Sequence, residues 1–318
     1  MASGAAPSYA LAIRVSILDD RRDDRRARWL DHDPVSRTLL ALYFGVFIVE
    51  VTGTHSAWEL PPAQALALGA THSLAIFGEA RYETLFTASF LHVGVVHVAF
   101  DALLVWQAGP RVERVLGSGR MASIALVAGA LGNLLSAARA WTSYLSQMTA
   151  GATGAIAGML AAACVVAWRE GGWQRGRNLD LRSLTRWLAF VFAAGIASRA
   201  SPYPVDSATL VGGTLGGAAM GALWRRPLAS SRATAWALAA ASGVLVACIA
   251  IVSVHDRTDP FATMPLERRL EFTADAVLDG RCRDAADGLR SLGRLHSPQV
   301  TLSALRSEVE TACGHGPR

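Results

Sequence analysis

Seven apolar runs, separated by turns that carry arginine, glycine or proline, occupy most of the chain as far as Val254. A helix needs about 20 mostly apolar residues to cross a bilayer, because lipid offers the backbone no hydrogen-bond partner. The runs predict membrane helices over about 38–54, 92–109, 121–138, 151–168, 187–198, 207–224 and 235–254, the fifth being the shortest. Trp141, Trp168, Trp187, Trp224 and Trp236 stand at or near their ends and read as interfacial anchors. The connection 55–84 holds Trp58, Pro61, Pro62 and the apolar stretch 63–68, which suits a segment lying in the interface as well as it suits a plain loop.

Beyond Val254 the pattern turns amphipathic. Leu266, Leu270, Ala274 and Val277 repeat at helical spacing with Gly280 behind them, and Cys282, Ala285, Ala286 and Leu289 share one face of a second helix. Ser297-Pro298 opens a third, whose apolar face carries Leu302, Leu305 and Val309. These predict a small helical appendage over 255–318.

Composition agrees with the pattern. Of 318 residues, 52% are hydrophobic and 17% charged, and the mean hydropathy is +0.31. That balance argues against an ordinary soluble protein. The long apolar runs exclude a disordered chain, and the 29 glycines follow no collagen period. The fold class expected is an all-α, polytopic helical membrane protein.

Charge sets the orientation. All 30 basic residues are arginine, so the net charge of +5 and pI near 9.4 come from arginine clusters between apolar runs, which fit membrane topology better than nucleic acid. The tail before the first run and the connections after the second, fourth and sixth hold 18 arginines, whereas the other three connections hold Arg81, Arg139 and Arg199 alone. The N-terminal tail 1–37 is therefore expected in the cytoplasm, and an odd number of spans sends the appendage outside. The stretch from Ser8 to Leu18 is short and broken by Arg14, so it does not read as a signal peptide. Arginine-only usage suggests a GC-rich genome and a bacterial inner membrane. The four cysteines show no CxxC spacing; Cys282 and Cys313 could form a disulfide in an oxidising space or remain free thiols.

Several ordered motifs carry chemistry. They are Phe86 to His92 (Phe-Thr-Ala-Ser-Phe-Leu-His), His97 to Asp101 (His-Val-Ala-Phe-Asp), Gly109 to Glu113, Leu116 to Arg120, Gly151-Ala-Thr-Gly154 and Gly213 to Gly217. Together, over about 84–224, they resemble the rhomboid intramembrane serine proteases. The resemblance implies a six-helix core over 38–224, followed by a linker and seventh transmembrane helix over 225–254. In active rhomboids a serine in Gly-x-Ser-Gly is the nucleophile and a histidine in the sixth helix its base. Here the nucleophile position is Thr153 and the base position is Leu210.

A hydroxyl needs a positioned base to take its proton, a contribution of roughly 10²–10⁴-fold, and leucine cannot supply one. No histidine lies between His97 and His255, so the fifth and sixth runs offer no substitute. The oxyanion positions correspond to His97 and Asp101, where Asp101 replaces the family's asparagine; a carboxylate there repels a developing oxyanion. Four residues apart on a helix, the two could pair with each other. His92, off that face, reads as interfacial. Gly151, Gly154, Gly158, Gly213, Gly217 and Gly221 stand at or near the spacing that lets membrane helices approach closely. Glu113, Gly117, Ser118 and Arg120 are expected to stabilise the turn between the second and third helices. The family's Trp-Arg pair in the first outer loop is replaced by Glu83 and Thr84.

The reading favoured is a pseudoprotease that binds transmembrane segments of client proteins without cleaving them, with no cofactor and no metal. One alternative is an active endopeptidase using Thr153 with an unrecognised base. Another is a transporter or proton-conducting protein built on Asp101, with Glu50 as the other acid well inside a span.

Overall fold

Pro34 needs no backbone donor at the first position of a helix, and the chain becomes helical there. The computed structural model describes residues 33–142, 148–171, 179–200, 204–224, 231–258, 261, 264, 266–293 and 303–314. The tail 1–32, the Ser297-Pro298 signal and Leu302 lie outside them.

Helix α1 (Pro34–Thr54) ends at His55, which adopts the left-handed conformation. The connection that follows is structured. It contains α2 (Pro62–Ala67), strand β1 (Thr71–His72), α3 (Ser73–Phe77) and α4 (Thr84–Thr87), the last running into a 3-10 turn over Ala88–Phe90. Long helices α5 (Val95–Leu116) and α6 (Ser118–Thr142) follow, then strand β2 (Met148–Thr149) and helices α7 (Thr153–Gly171), α8 (Leu179–Ala197), α9 (Ser207–Leu223) and α10 (Ser231–Thr258). The appendage is α11 (Leu266–Leu278), α12 (Cys282–Gly293) and α13 (Ser303–Cys313). A long helix thus stands at each of the seven apolar runs.

Pro34–Thr54, Ser118–Thr142 and Ala233–Val254 are each long and apolar enough to cross a membrane alone. A fourth is counted if α4 with its turn and α5, bent by 90° at their junction, form one broken span. The apolar segments Thr153–Arg169 and Ser207–Leu223 are shorter.

Three boundaries differ from expectation. The fifth helix begins at Leu179 rather than near 187, because Leu181 and Leu184 are buried while Arg182 on the same turn stays exposed. The second begins at Val95 rather than 92, so His92 sits in the preceding loop. It also continues through Pro110 to Leu116, since Val112, Glu113 and Leu116 are buried against its neighbours.

Helix α7 is the centre of the bundle, with every residue from Thr153 to Ala163 buried. Its packing against α9 explains the glycines. A Cβ on Gly213 would collide with the carbonyl of Gly154, and one on Gly217 with the carbonyl of Gly158. Backbone cannot yield to a methyl group as a flexible side chain can, so the two helices touch main chain to main chain. Gly151 differs from this group. It precedes α7, has φ +129° and faces the His97 ring, so it serves the site turn rather than helix packing.

At the end of the bundle where α1 begins, the buried Glu113 carboxylate accepts the Val35 N–H at 3.0 Å, the Ser36 N–H at 2.9 Å and the Ser36 hydroxyl at 2.8 Å. It also accepts the Ser118 hydroxyl at 2.7 Å. Glu113 therefore does more than steady its own turn: it caps the first helix from another element, satisfying donors a helix start leaves open. Arg120 lies over the Trp224 ring, 5.7 Å from its centroid.

At the opposite end, β1 and β2 form a two-stranded antiparallel ladder pairing Thr71 with Thr149 and His72 with Met148. The appendage docks on this end through Leu292, Leu270 and Leu305, which cluster with Leu74 and Trp141. Trp141 is thus a docking residue, whereas Trp168 and Trp236 are exposed as anchors would be. Cys282 and Cys313 are joined in a disulfide that ties α12 to α13, settling the two readings in favour of the bond.

Candidate functional site

The first long connection, the start of α5, the turn before α7 and the start of α9 converge on a cavity of about 1080 Å³. Trp58, Val96, Phe100, Ala194 and Val205 make its apolar walls, with Gly151, Thr153, Thr209 and Leu210 also on its lining. Arg139 and Asp206 stand on the lining as a polar pair, Nη2 to Oδ1 3.3 Å.

Asp206 is positioned by its own local sequence. As the N-cap of α9 it accepts the Ala208 and Thr209 N–H groups at 3.1 and 3.2 Å and the Thr209 hydroxyl at 2.7 Å. Burial alone would raise its pKa. Hydrogen bonds from Ser136, Thr209 and the Ala208 N–H, with the Arg139 charge, outweigh burial and hold it below the ordinary carboxylate range. An Asp ahead of Ser-Ala-Thr is a legible cap signal that the spacing argument passed over.

Asp101 is the hub of the deeper site. Fully buried on α5, its Oδ2 accepts the Ala152 N–H at 2.9 Å and its Oδ1 accepts the Thr153 hydroxyl at 3.0 Å. His97, one turn earlier, brings Nε2 to 3.5 Å from Asp101 Oδ2, as the spacing of four predicts. The same Nε2 lies 3.5 Å from Thr153 Oγ1. In the sequence only the resemblance links Thr153 to that pair, whereas the fold places all three in one cluster.

His92 is the main correction. Expected at the interface, it is fully buried, with Nε2 3.6 Å from Asp101 Oδ2. Its ring packs edge-on against Tyr43 and His97, at centroid distances of 5.2 and 5.4 Å. Glu50, buried at the end of α1, accepts the His92 N–H at 2.9 Å and so fixes the loop that carries the ring. Neither contact follows from sequence spacing, because His92 lies outside the helix and Glu50 is 42 residues away. Among the described residues, no group of three or more His, Cys, Asp and Glu side chains is arranged to hold a metal ion.

Leu210 is buried near the start of α9, and a Cβ on Gly195 of α8 would meet its Cδ1 at 2.6 Å. An apolar side chain, packed to contact, stands where a base would be needed. The Ala152 amide, beside the candidate hydroxyl, already donates to Asp101. The site can therefore hold an apolar guest, but it presents a hydroxyl bonded to a carboxylate and an amide donor that is already used.

The rhomboid domain matches residues 79–227. The chain is also similar to Rhomboid protease GluP of Bacillus subtilis (strain 168), 29% identical over 171 residues. That match covers 54% of this chain and 31% of the relative, so the chain spans about a third of the relative's length. The ordered motifs and the matched domain mark a rhomboid domain over residues 79–227, and with the apolar helices they point to an integral membrane protein.

Proposed function

We propose that the protein is a rhomboid pseudoprotease, which binds transmembrane segments of client proteins in the cavity without cutting them. The observation that carries this reading is the bonding of Asp101. Its carboxylate accepts both the Ala152 N–H and the Thr153 hydroxyl. In acyl transfer, donors beside the nucleophile must face the oxyanion that develops in the transition state, and a fixed negative charge there works against it. Leu210 removes the base as well.

In this reading all seven long helices cross the membrane, six forming the rhomboid core and α10 the seventh. The N-terminus is cytoplasmic, and the cavity, the β1–β2 ladder and the appendage face outward. Arginine distribution supports this topology, and the compositional argument places it in a bacterial inner membrane. The occupant inferred is an apolar segment, because the walls around Phe100, Ala194 and Val205 are apolar.

The test is proteolysis of a synthetic transmembrane peptide in liposomes. Wild type and Thr153→Ala leave it intact. Thr153→Ser with Leu210→His cuts slowly, and adding Asp101→Asn raises the rate by about 10²-fold, the worth of an oxyanion contact. Cleavage by wild type that Thr153→Ala abolishes would overturn the proposal. Capture is tested by cross-linking the same peptide: Ala194→Trp, which fills the cavity from its wall, should remove the cross-link.

A second reading has an observation of its own. His97 Nε2 lies 3.5 Å from the Thr153 hydroxyl, within reach of acting as the base that α9 lacks. If wild type does cut, His97→Gln should then abolish cleavage as completely as Thr153→Ala.

A further inference from the structure

One wall of the cavity is built from Met148, Thr149, Ala150 and Gly151, the segment that leads into Thr153. This wall has little helix of its own. It is held by the ladder to Thr71 and His72, by the Gly151 N–H on the Ala88 carbonyl at 2.9 Å, and by the Thr149 hydroxyl against Ser136 at 2.8 Å. The opposite strand of that ladder opens directly into α3, where His72 Nδ1 accepts the Leu74 N–H at 3.1 Å.

The appendage grips that strand and helix. Arg269 on α11 is buried, although arginine is seldom buried unless paired. Its guanidinium forms an ion pair with Glu79, in the turn just after α3, and donates to Ser291 Oγ at 3.3 Å and to the Met264 carbonyl at 2.8 Å. Leu74 of α3 is packed beside Leu292, Leu270 and Leu305. Arg269 is also close enough to act on His72. Burial first, and then the Arg269 charge, hold the His72 imidazole below the ordinary histidine range.

We propose that the C-terminal appendage is a latch on the cavity wall, with the Arg269–Glu79 pair as its bolt and the β1–β2 ladder as the connection to the turn that carries Thr153. Arg269 is buried and Glu79 half-buried, so removing Glu79 leaves the buried Arg269 charge without its compensating partner. Undocking the appendage therefore loosens α3 and β1, and through the two ladder pairs it loosens 148–153. Linkage makes the coupling reciprocal: an occupant that orders the wall tightens docking, and docking strengthens capture by the same factor. The latch takes from the preceding reading only the idea that the cavity receives a client.

The experiment is amide hydrogen exchange of the full chain in lipid nanodiscs, comparing wild type with Glu79→Gln, Arg269→Gln and the swap Glu79→Arg with Arg269→Glu. Glu79→Gln leaves the bonds from Arg269 to Ser291 and Met264 in place, so it separates undocking from collapse of the appendage. The latch predicts exchange over 69–74 and 148–153 at least about tenfold faster in both single variants, and slower again in the swap. Faster exchange confined to 266–313, with 148–153 unchanged, would overturn it.

A second arm measures capture of the synthetic transmembrane peptide. If wild type captures it, Glu79→Gln should weaken capture by about tenfold, and unchanged capture beside a loosened wall would refute the coupling. If wild type captures nothing, the client reading fails, while the exchange result still decides the latch.

Discussion

Replacing Glu113 with alanine removes the acceptor of four hydrogen bonds while leaving the Val35 and Ser36 donors in place. Bonds to a charged group contribute about 1.5–3 kcal/mol each, so a loss of at least ~2 kcal/mol is expected, read as a lower unfolding midpoint in detergent. Glu113→Gln keeps the shape and one acceptor oxygen and should recover part of that loss. His72 gives a prediction with a definite sign. Its folded pKa is depressed, so above the ordinary histidine value of about 6.5 it is neutral in both states and costs nothing. As pH falls below that value the unfolded chain takes up the proton first, and stability declines. His72→Asn retains an acceptor for the Leu74 N–H and should flatten the midpoint between about pH 5 and 7. A profile identical to wild type would mean that this imidazole is not the group responsible.

The glycines of α9 and α7 make their prediction as a pair of elements. Gly217→Leu places a side chain against the Gly158 carbonyl, and Gly213→Leu against that of Gly154, so either must separate the helices. Both should lower folded yield severely. The same change at Gly45 on α1 or Gly243 on α10, where nothing lies within 4 Å, should leave yield and melting nearly unchanged apart from helix propensity. Equal damage at all four positions would mean that glycine matters here for lipid contact, not for helix approach. This contact also changes how a capture experiment is designed. Leucine at Gly213 or Gly217 tests the bundle itself, so a cavity wall such as Ala194 is the better place to test binding.

For the whole molecule, the appendage and the cavity wall lie at one end of the bundle and the Glu113 cap at the other. The proposed topology therefore predicts that a cysteine introduced at exposed Arg306 reacts with a membrane-impermeant maleimide in intact cells, whereas one at exposed Arg111 reacts only after lysis. The opposite pattern would invert the molecule and place the cavity in the cytoplasm. Cys282 and Cys313, already bonded, should stay unlabelled until reduced.

Helix positions were legible because the apolar period and the demand for internal hydrogen bonds are local: every long helix stands where an apolar run lies. The site was legible only as a list. His97 and Asp101 share one helix face, so their pairing followed from spacing, and Leu210 declared itself through the motif around it. The docking of Asp101 onto the Ala152 amide, the burial of His92 and the reach of Glu50 across 42 residues did not follow. Nor did the cap that Glu113 places on α1, or the seat of Arg269 beside Glu79. Each depends on which helices lie next to one another, and burial is what gives each its force. A carboxylate on a helix is an ordinary charge until the packed bundle removes its water, and its hydrogen bonds then decide what the site can do.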